Sequence, residues 1–324
     1  MKKFIVIIFT FLLLFTVSSC AFIGYQQEIA PQNIYKDYVS NKETNDQNLN
    51  FESNICIGSN SILTVISCTN LRLNGEYTSV INIYSGVIIN SEGYLLTTVQ
   101  AALLDVFDGD ETIRKSTNEV YAILPDIYQD ETQYKLKLID YDSEAGLALY
   151  CFYDHFYYYT DSQKSSAVEG FQFYSTFSGN KVSIGDACAA VGNSLGNILN
   201  GEIENRNSIS YIQTTITSGY ISDDSADPEI FETYEESDGS QYFIISAPTN
   251  IDMIGGGVFD ESGYLIGIIA SKIVSSQERN ASQYLSRVSL AYSSKHVMNF
   301  IDRTSTKISK VIHYSYAISG GEGG

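Results

Sequence analysis

Three histidines, His155, His296 and His313, are the only side chains of their kind in this 324-residue sequence, and histidine is the usual general base near neutral pH. His155 lies in the aromatic run Tyr153-Asp154-His155-Phe156-Tyr157-Tyr158-Tyr159, His296 on a helical period near the end, and His313 beyond it. Each reads as a surface or helix-face residue. The densest acidic stretch carries eight carboxylates between Asp223 and Asp238. Hard oxygen ligands at that density suit calcium. A calcium-loop register, however, puts Pro228 at the turn glycine and Tyr234 at the bidentate glutamate, so a solvated acidic loop is the better reading. Asp105 to Glu111 reads the same way. No Cys/His spacing forms a zinc site, and Asn193-Ser194-Leu195-Gly196-Asn197 lacks the Lys and spacing of a phosphate loop. No metal or cofactor is expected. Tyr153, Tyr157, Tyr158 and Tyr159 form a candidate binding patch, since tyrosine buries large area at low entropic cost.

The net charge of −19 argues against a nucleic-acid partner, because phosphate binding needs clustered cations. With 44% hydrophobic residues the chain can fill a core. Lys2 and Lys3 precede an apolar run from Phe4 to Val17, too short to span a bilayer as a helix but fitting an export signal. The string Val17-Ser18-Ser19-Cys20 resembles the lipobox of bacterial lipoproteins. That resemblance implies lipidation at Cys20 and an extracytoplasmic, membrane-anchored protein, since two acyl chains suffice for stable anchoring. Of the other cysteines, Cys68, Cys151 and Cys188 sit in apolar, strand-like surroundings, and a Cys56–Cys68 bridge is conceivable in an exported protein.

The elements that must position any site are strands. Residues 21 to about 52 are polar and read as a tether. From Ile62 on, short β-branched and aromatic runs recur between Gly, Asn, Asp and Ser: Ile62–Ser67, Val80–Ile89, Tyr94–Thr98, Val120–Leu124, Tyr134–Ile139, Leu147–Phe152, Ala187–Val191, Tyr211–Thr217, Tyr242–Ala247, Gly256–Phe259 and Tyr264–Ser271. This predicts an all-β sandwich or barrel pair. One helix is predicted over Ser294–Asp302, with His296, Val297, Phe300 and Ile301 on one face. Gly86–Leu96 and Gly257–Ile266 share one grammar: strand, acidic turn with glycine, strand.

Read in order, these segments resemble trypsin-like serine proteases, closest to the HtrA-type branch. Ser85–Ile89 with Gly93–Thr97 is similar to the strands leading to the catalytic histidine. Tyr141-Asp142 with Gly146–Leu149 is similar to the aspartate segment, and Ala190–Gly196 with Thr217–Ser222 to two strands of the second barrel. Ala247–Phe259 and Gly263–Ile268 span the nucleophile loop and the strand behind it. The resemblance implies an all-β fold, a trypsin-like double six-stranded β-barrel with a C-terminal helix. The implied division is signal 1–19, lipidated Cys20 and tether 20–52, first barrel 53–165, second barrel plus helix 166–303, and tail 304–324. No segment the size of the tandem regulatory domain of many HtrA-type proteins follows the barrels.

The same alignment removes the chemistry. The histidine position holds Gln100, the aspartate position Gly146 and the serine position Ile254. An amide cannot accept the proton, glycine cannot orient a base, and isoleucine has no nucleophilic oxygen. Asp252 and Ile254 stand where the family's oxyanion-binding N–H groups lie, and an Asp252 carboxylate opposes a developing oxyanion. The expected function is a catalytically inactive homologue that binds peptides or proteins at the cell envelope. The alternative is an atypical active peptidase with a displaced catalytic set.

Overall fold

The computed structural model describes residues 51–73, 76–108, 111–125, 133–152, 159–160, 163–164, 171–194, 209, 213–223, 241–272 and 289–317. Six antiparallel strands close the first barrel: β1 (Ile62–Leu73), β2 (Glu76–Ile88), β3 (Tyr94–Thr98), β6 (Glu119–Ile123), β7 (Gln133–Asp142) and β8 (Leu147–Phe152). They run in the order β1-β2-β3-β8-β7-β6, and β6 returns to β1. A ribbon of β4 (Leu103–Asp108) and β5 (Glu111–Ser116) stands outside it, as does the short pair β9 (Tyr159–Thr160) and β10 (Gln163–Lys164).

The second barrel closes the same way. Its strands are β12 (Ala187–Ser194), β13 (Gln213–Asp223), β14 (Tyr242–Ile245), β15 (Gly257–Asp260), β16 (Leu265–Lys272) and β17 (Ser289–Ser293), and pairing of β15 with β16 completes the ring. Two further strands, β11 (Thr176–Ser178) and β18 (Ser315–Ala317), add to it in parallel. The double six-stranded barrel with a C-terminal helix is therefore the fold. Tyr94–Thr98 and Leu147–Phe152 coincide with the predicted strands, because largely buried apolar runs bounded by turn residues leave little choice of end point. Alternation puts Leu63, Val65, Ile88, Leu95, Ala148 and Tyr150 inside the first barrel. Cys188, Ala190, Ile221, Phe243, Val258 and Ile269 fill the second.

Two helices cover the ends. The first, α1 (Phe51–Ser59), was not among the predicted elements. It buries only Ile55 and Gly58, too few residues to show a period, and Gly58 lies so close to Phe259 that a Cβ there would approach the ring to 2.8 Å. The second, α2 (Ser294–Ile308), runs six residues past the predicted end at Asp302. Ser293 caps its first turn, and its C-terminus reverses at Ser309 in the left-handed region (φ 55°). Arg303 pairs with Asp142 at 3.0 Å, and Lys307 pairs with Asp140, tying the last turns to the β7 end of the first barrel. The residues continue, placed against the body, to Ala317. Cys56, Cys151 and Cys188 are free thiols, so the Cys56–Cys68 bridge does not form. Burial pushes the Cys188 thiol up to about 12, leaving it an inert apolar filler.

His296 is a core residue rather than a surface one. It is 8% exposed, its Nε2 lies 3.0 Å from the Ala145 carbonyl, and its ring stacks on Tyr292 at 5.5 Å. The carbonyl can only accept, so Nε2 carries the proton. Burial lowers the imidazole pKa, with the Ala145 carbonyl acting in the opposite direction. The unfolded chain thus takes up a proton near pH 6.5 that the folded chain resists. Stability is full above that pH and falls as pH drops through the unfolded value toward the folded one, by at most ~1.4 kcal/mol per pH unit for this single group. Urea unfolding of His296→Gln between pH 8 and pH 5 is expected to show a shallower loss than the parent chain.

Candidate functional site

The site is assembled from turns at the junction of the two barrels. The end of β3 continues into a 3₁₀ turn, Val99–Ala101, which carries Gln100 on the surface. Val99 N–H donates to Gly146 O at 2.9 Å. Gly146 lies in the β7–β8 turn with φ 70°, a conformation glycine adopts without strain. Across the junction a second 3₁₀ turn, Ile251–Met253, leads to Ile254 and then Gly255 (φ 87°). Ser85 N–H donates to Ile254 O at 2.8 Å. A Cβ on Gly255 would lie 2.2 Å from Ser85 O and 2.4 Å from Thr97 Oγ1. The backbone at Gln100, Gly146 and Ile254 is therefore brought to one place, because the β3 end touches both of the other turns.

What fills that place is apolar or aromatic. A Cβ on Gly146 would lie 1.7 Å from the Tyr292 hydroxyl oxygen and 2.5 Å from Tyr292 Cζ. Tyr292 thus occupies the volume into which any side chain at 146 would point. Its ring packs on Tyr242 at 5.1 Å and on His296 at 5.5 Å. The single buried imidazole of the site therefore faces a carbonyl and two phenol rings. Sequence reasoning missed both Tyr292 and the place of His296, and the spacing Tyr292/His296, one helical turn apart around the cap Ser293, was the available signal.

The loop at Asp252 and Ile254 has no N–H to offer. Asn250 Oδ1 accepts from Asp252 N–H and Met253 N–H, each at 3.1 Å. Ile254 N–H donates to Ile251 O at 3.3 Å, and Gly255 N–H to Ile269 O at 2.9 Å. A capped 3₁₀ turn has thus taken up the N–H groups of Asp252, Met253 and Ile254. Ser85 Oγ donates to Asp252 O (2.9 Å) and accepts from Asn193 N–H (2.8 Å), which fixes the turn in this closed form.

His296 meets a carbonyl, Lys307 a carboxylate, and Lys310 a carboxylate and a phenol; none meets a serine, threonine or cysteine side chain. Among the described residues no group of His, Cys, Asp and Glu is placed to hold a metal ion. Cys20, Tyr153, Tyr157, Tyr158, His155 and the acidic stretch from Asp224 lie outside the described residues, and Tyr159 enters only through the backbone pairing of β9. His313 is exposed and contributes its carbonyl to Asn90.

The overlap of Gly146 with Tyr292 makes a direct test. Gly146→Asp is expected to destabilise the chain by about 2–5 kcal/mol through crowding and positive φ. Adding Tyr292→Ala should recover the crowding part of the loss in urea unfolding.

A trypsin-like peptidase domain model matches residues 84–268. Among solved structures, a variant of the HtrA-type protease AlgW with a decapeptide superposes with a TM-score of 0.56 at 17% identity, covering 82% of this chain and 69% of that one. AlgW itself with a decapeptide gives 0.53 at 17% identity, covering 82% and 70%. No curated protein matches. The matched span takes in more than half of the sequence and runs from β2 into β16, across both barrels and all three turns of the site: the chain belongs to the trypsin-like peptidase domain family.

Proposed function

We propose that this protein is a catalytically inactive trypsin-like protease homologue, anchored by lipid on Cys20 outside the cytoplasm, that binds extended peptides or unfolded protein segments in the cleft between its barrels. One observation carries the reading: the site keeps its backbone frame while Gln100, Gly146 and Ile254 lack the chemistry, and the N–H groups of Asp252 and Ile254 are already bonded. Strand addition needs none of that chemistry, since it draws affinity from main-chain hydrogen bonds. An edge is present for it past Ile269. Beyond Gly257–Ile268, Ile269 O still accepts from Gly255 N–H and Ile269 N–H donates to Gly256 O, and from there β16 runs on to Lys272 with β17 on its other side. Structures of the HtrA-type protease AlgW are described with a decapeptide and with a tripeptide.

Purified full chain is expected to leave an unfolded protein substrate uncut, and Ile254→Asp should be equally inactive. Turnover by the parent chain that Ile254→Asp abolishes would overturn the reading in favour of a displaced catalytic set. Anchoring is tested separately. Labelled fatty acid should be incorporated by the parent chain in a lipoprotein-processing bacterial host and not by Cys20→Ala.

A further inference from the structure

Residues 310–317 lie along the body as an extended chain, after both barrels have already closed. Ser309 turns the chain out of α2, and beyond it Ile312 and Tyr314 pack inward while Lys310 and Tyr316 are exposed. Lys310 Nζ donates to Glu92 and to the Tyr94 hydroxyl, each at 3.0 Å, and stands 5.1 Å from the Tyr94 ring centre. Ile312 is 2% exposed. The Tyr314 ring meets Phe177 edge-on at 5.5 Å, and its hydroxyl donates to Asp302 at 3.3 Å. Val311, His313 and Ser315 between them are exposed.

The backbone is held by side-chain bonds along the segment and by strand pairing at its far end. Asn90 Nδ2 donates to His313 O (2.7 Å), Ile312 N–H donates to Ser305 Oγ (3.1 Å), and β18 pairs in parallel with β11. Gly179 N–H closes the end on Ala317 O at 2.7 Å. The groove is thus a shaped receptor with an anionic subsite at Glu92, a buried aliphatic subsite and an aromatic subsite at Phe177. That is the grammar of peptide recognition by strand addition, with main-chain bonds for affinity and alternate pockets for specificity.

We infer that this groove is a second peptide-binding site, occupied in cis by residues 310–317, and that it accepts in trans an extended segment with a basic residue, an aliphatic residue two positions on and an aromatic residue two positions further. It lies apart from the cleft turns at Gln100 and Ile254 and stands or falls independently of the reading given for them. The tethered segment competes at an effective concentration on the order of millimolar. A partner therefore binds when its own segment is presented multivalently, or after the connection at Ser309 is cut.

The test uses the full chain with a specific protease site inserted between Ser309 and Lys310, cut after folding, and a fluorescent peptide of the sequence from Lys310 to Ala317. The cut protein should stay folded by circular dichroism, exchange its own segment and bind the peptide at least ~10-fold more tightly than the uncut protein. Peptides with Ile312→Ala or Tyr314→Ala should bind at least ~10-fold more weakly than the parent peptide. Ile254→Asp in the cut protein should leave binding unchanged, which separates this groove from the cleft. Unfolding on loss of the segment, failure of the cut segment to exchange, or equal binding of the alanine peptides would each overturn the inference, making the segment a fixed part of the fold.

Discussion

Ser85 is the joint between the barrels, and the geometry of the site follows from it. Its N–H bonds Ile254 O, its Oγ bridges Asp252 O and Asn193 N–H, and its carbonyl accepts Thr97 Oγ1. Gly255 is pressed against the same residue so closely that no side chain fits. Asn193 extends the network, donating to Thr64 Oγ1 and accepting from Thr214 Oγ1. These polar groups are largely buried, so each lost partner leaves a desolvated group uncompensated. One small hydroxyl residue on β2 thereby sets where the β3 end, the 3₁₀ turn of the second barrel and β12 meet.

With that frame fixed, what fills the junction is a matter of local volume and donors. Removing the side chain at Gly146 makes room for the Tyr292 phenol, and Tyr292 in turn stacks with Tyr242 and His296. The result is an aromatic core of Tyr242, Tyr292 and His296 at the junction. A buried carboxylate would need a paired cation or several donors. An aromatic stack needs only its hydroxyls satisfied, so the exchange removes a desolvation cost while leaving the barrels in register. The same economy appears at the 3₁₀ turn: Asn250 caps N–H groups that would otherwise await a ligand.

The C-terminal segment supplies a second tie across the molecule. Arg303 and Lys307 of α2 reach the β7 end, Lys310 reaches Glu92 beside β3, and β18 adds to β11. Exposed ion pairs of this kind contribute little each. Ile312 and Tyr314, with the main-chain bonds between them, hold the segment more firmly. The division between barrels is therefore bridged on one side by buried hydrogen bonds and on another by a strand-like segment with polar outer residues.

Most barrel strands were legible in the sequence because alternation and turn residues are local, but β17, β11 and β18 were not, and the Asp105–Glu111 stretch read as a solvated loop lies in the β4–β5 ribbon. Tyr94–Thr98 and Leu147–Phe152 could be read directly, and so could the residue types at 100, 146 and 254. A residue type limits chemistry wherever it is placed, which is why Gln, Gly and Ile could be weighed without coordinates. Helix α1 was not legible, since two buried residues in nine make no period, and α2 runs past Asp302 because Thr304 is buried and Ile308 packs against the core on its inner face. Tertiary structure alone decided the rest: that Tyr292 fills the space at Gly146, that His296 is buried against Ala145, that Asn250 takes the N–H groups of the loop, and that residues 310–317 lie in a groove. Apart from the local Asn250 cap, each depends on pairing residues far apart in the chain, 146 with 292 and 92 with 310. A one-dimensional pattern carries the periodicity of an element, not the identity of what packs against it.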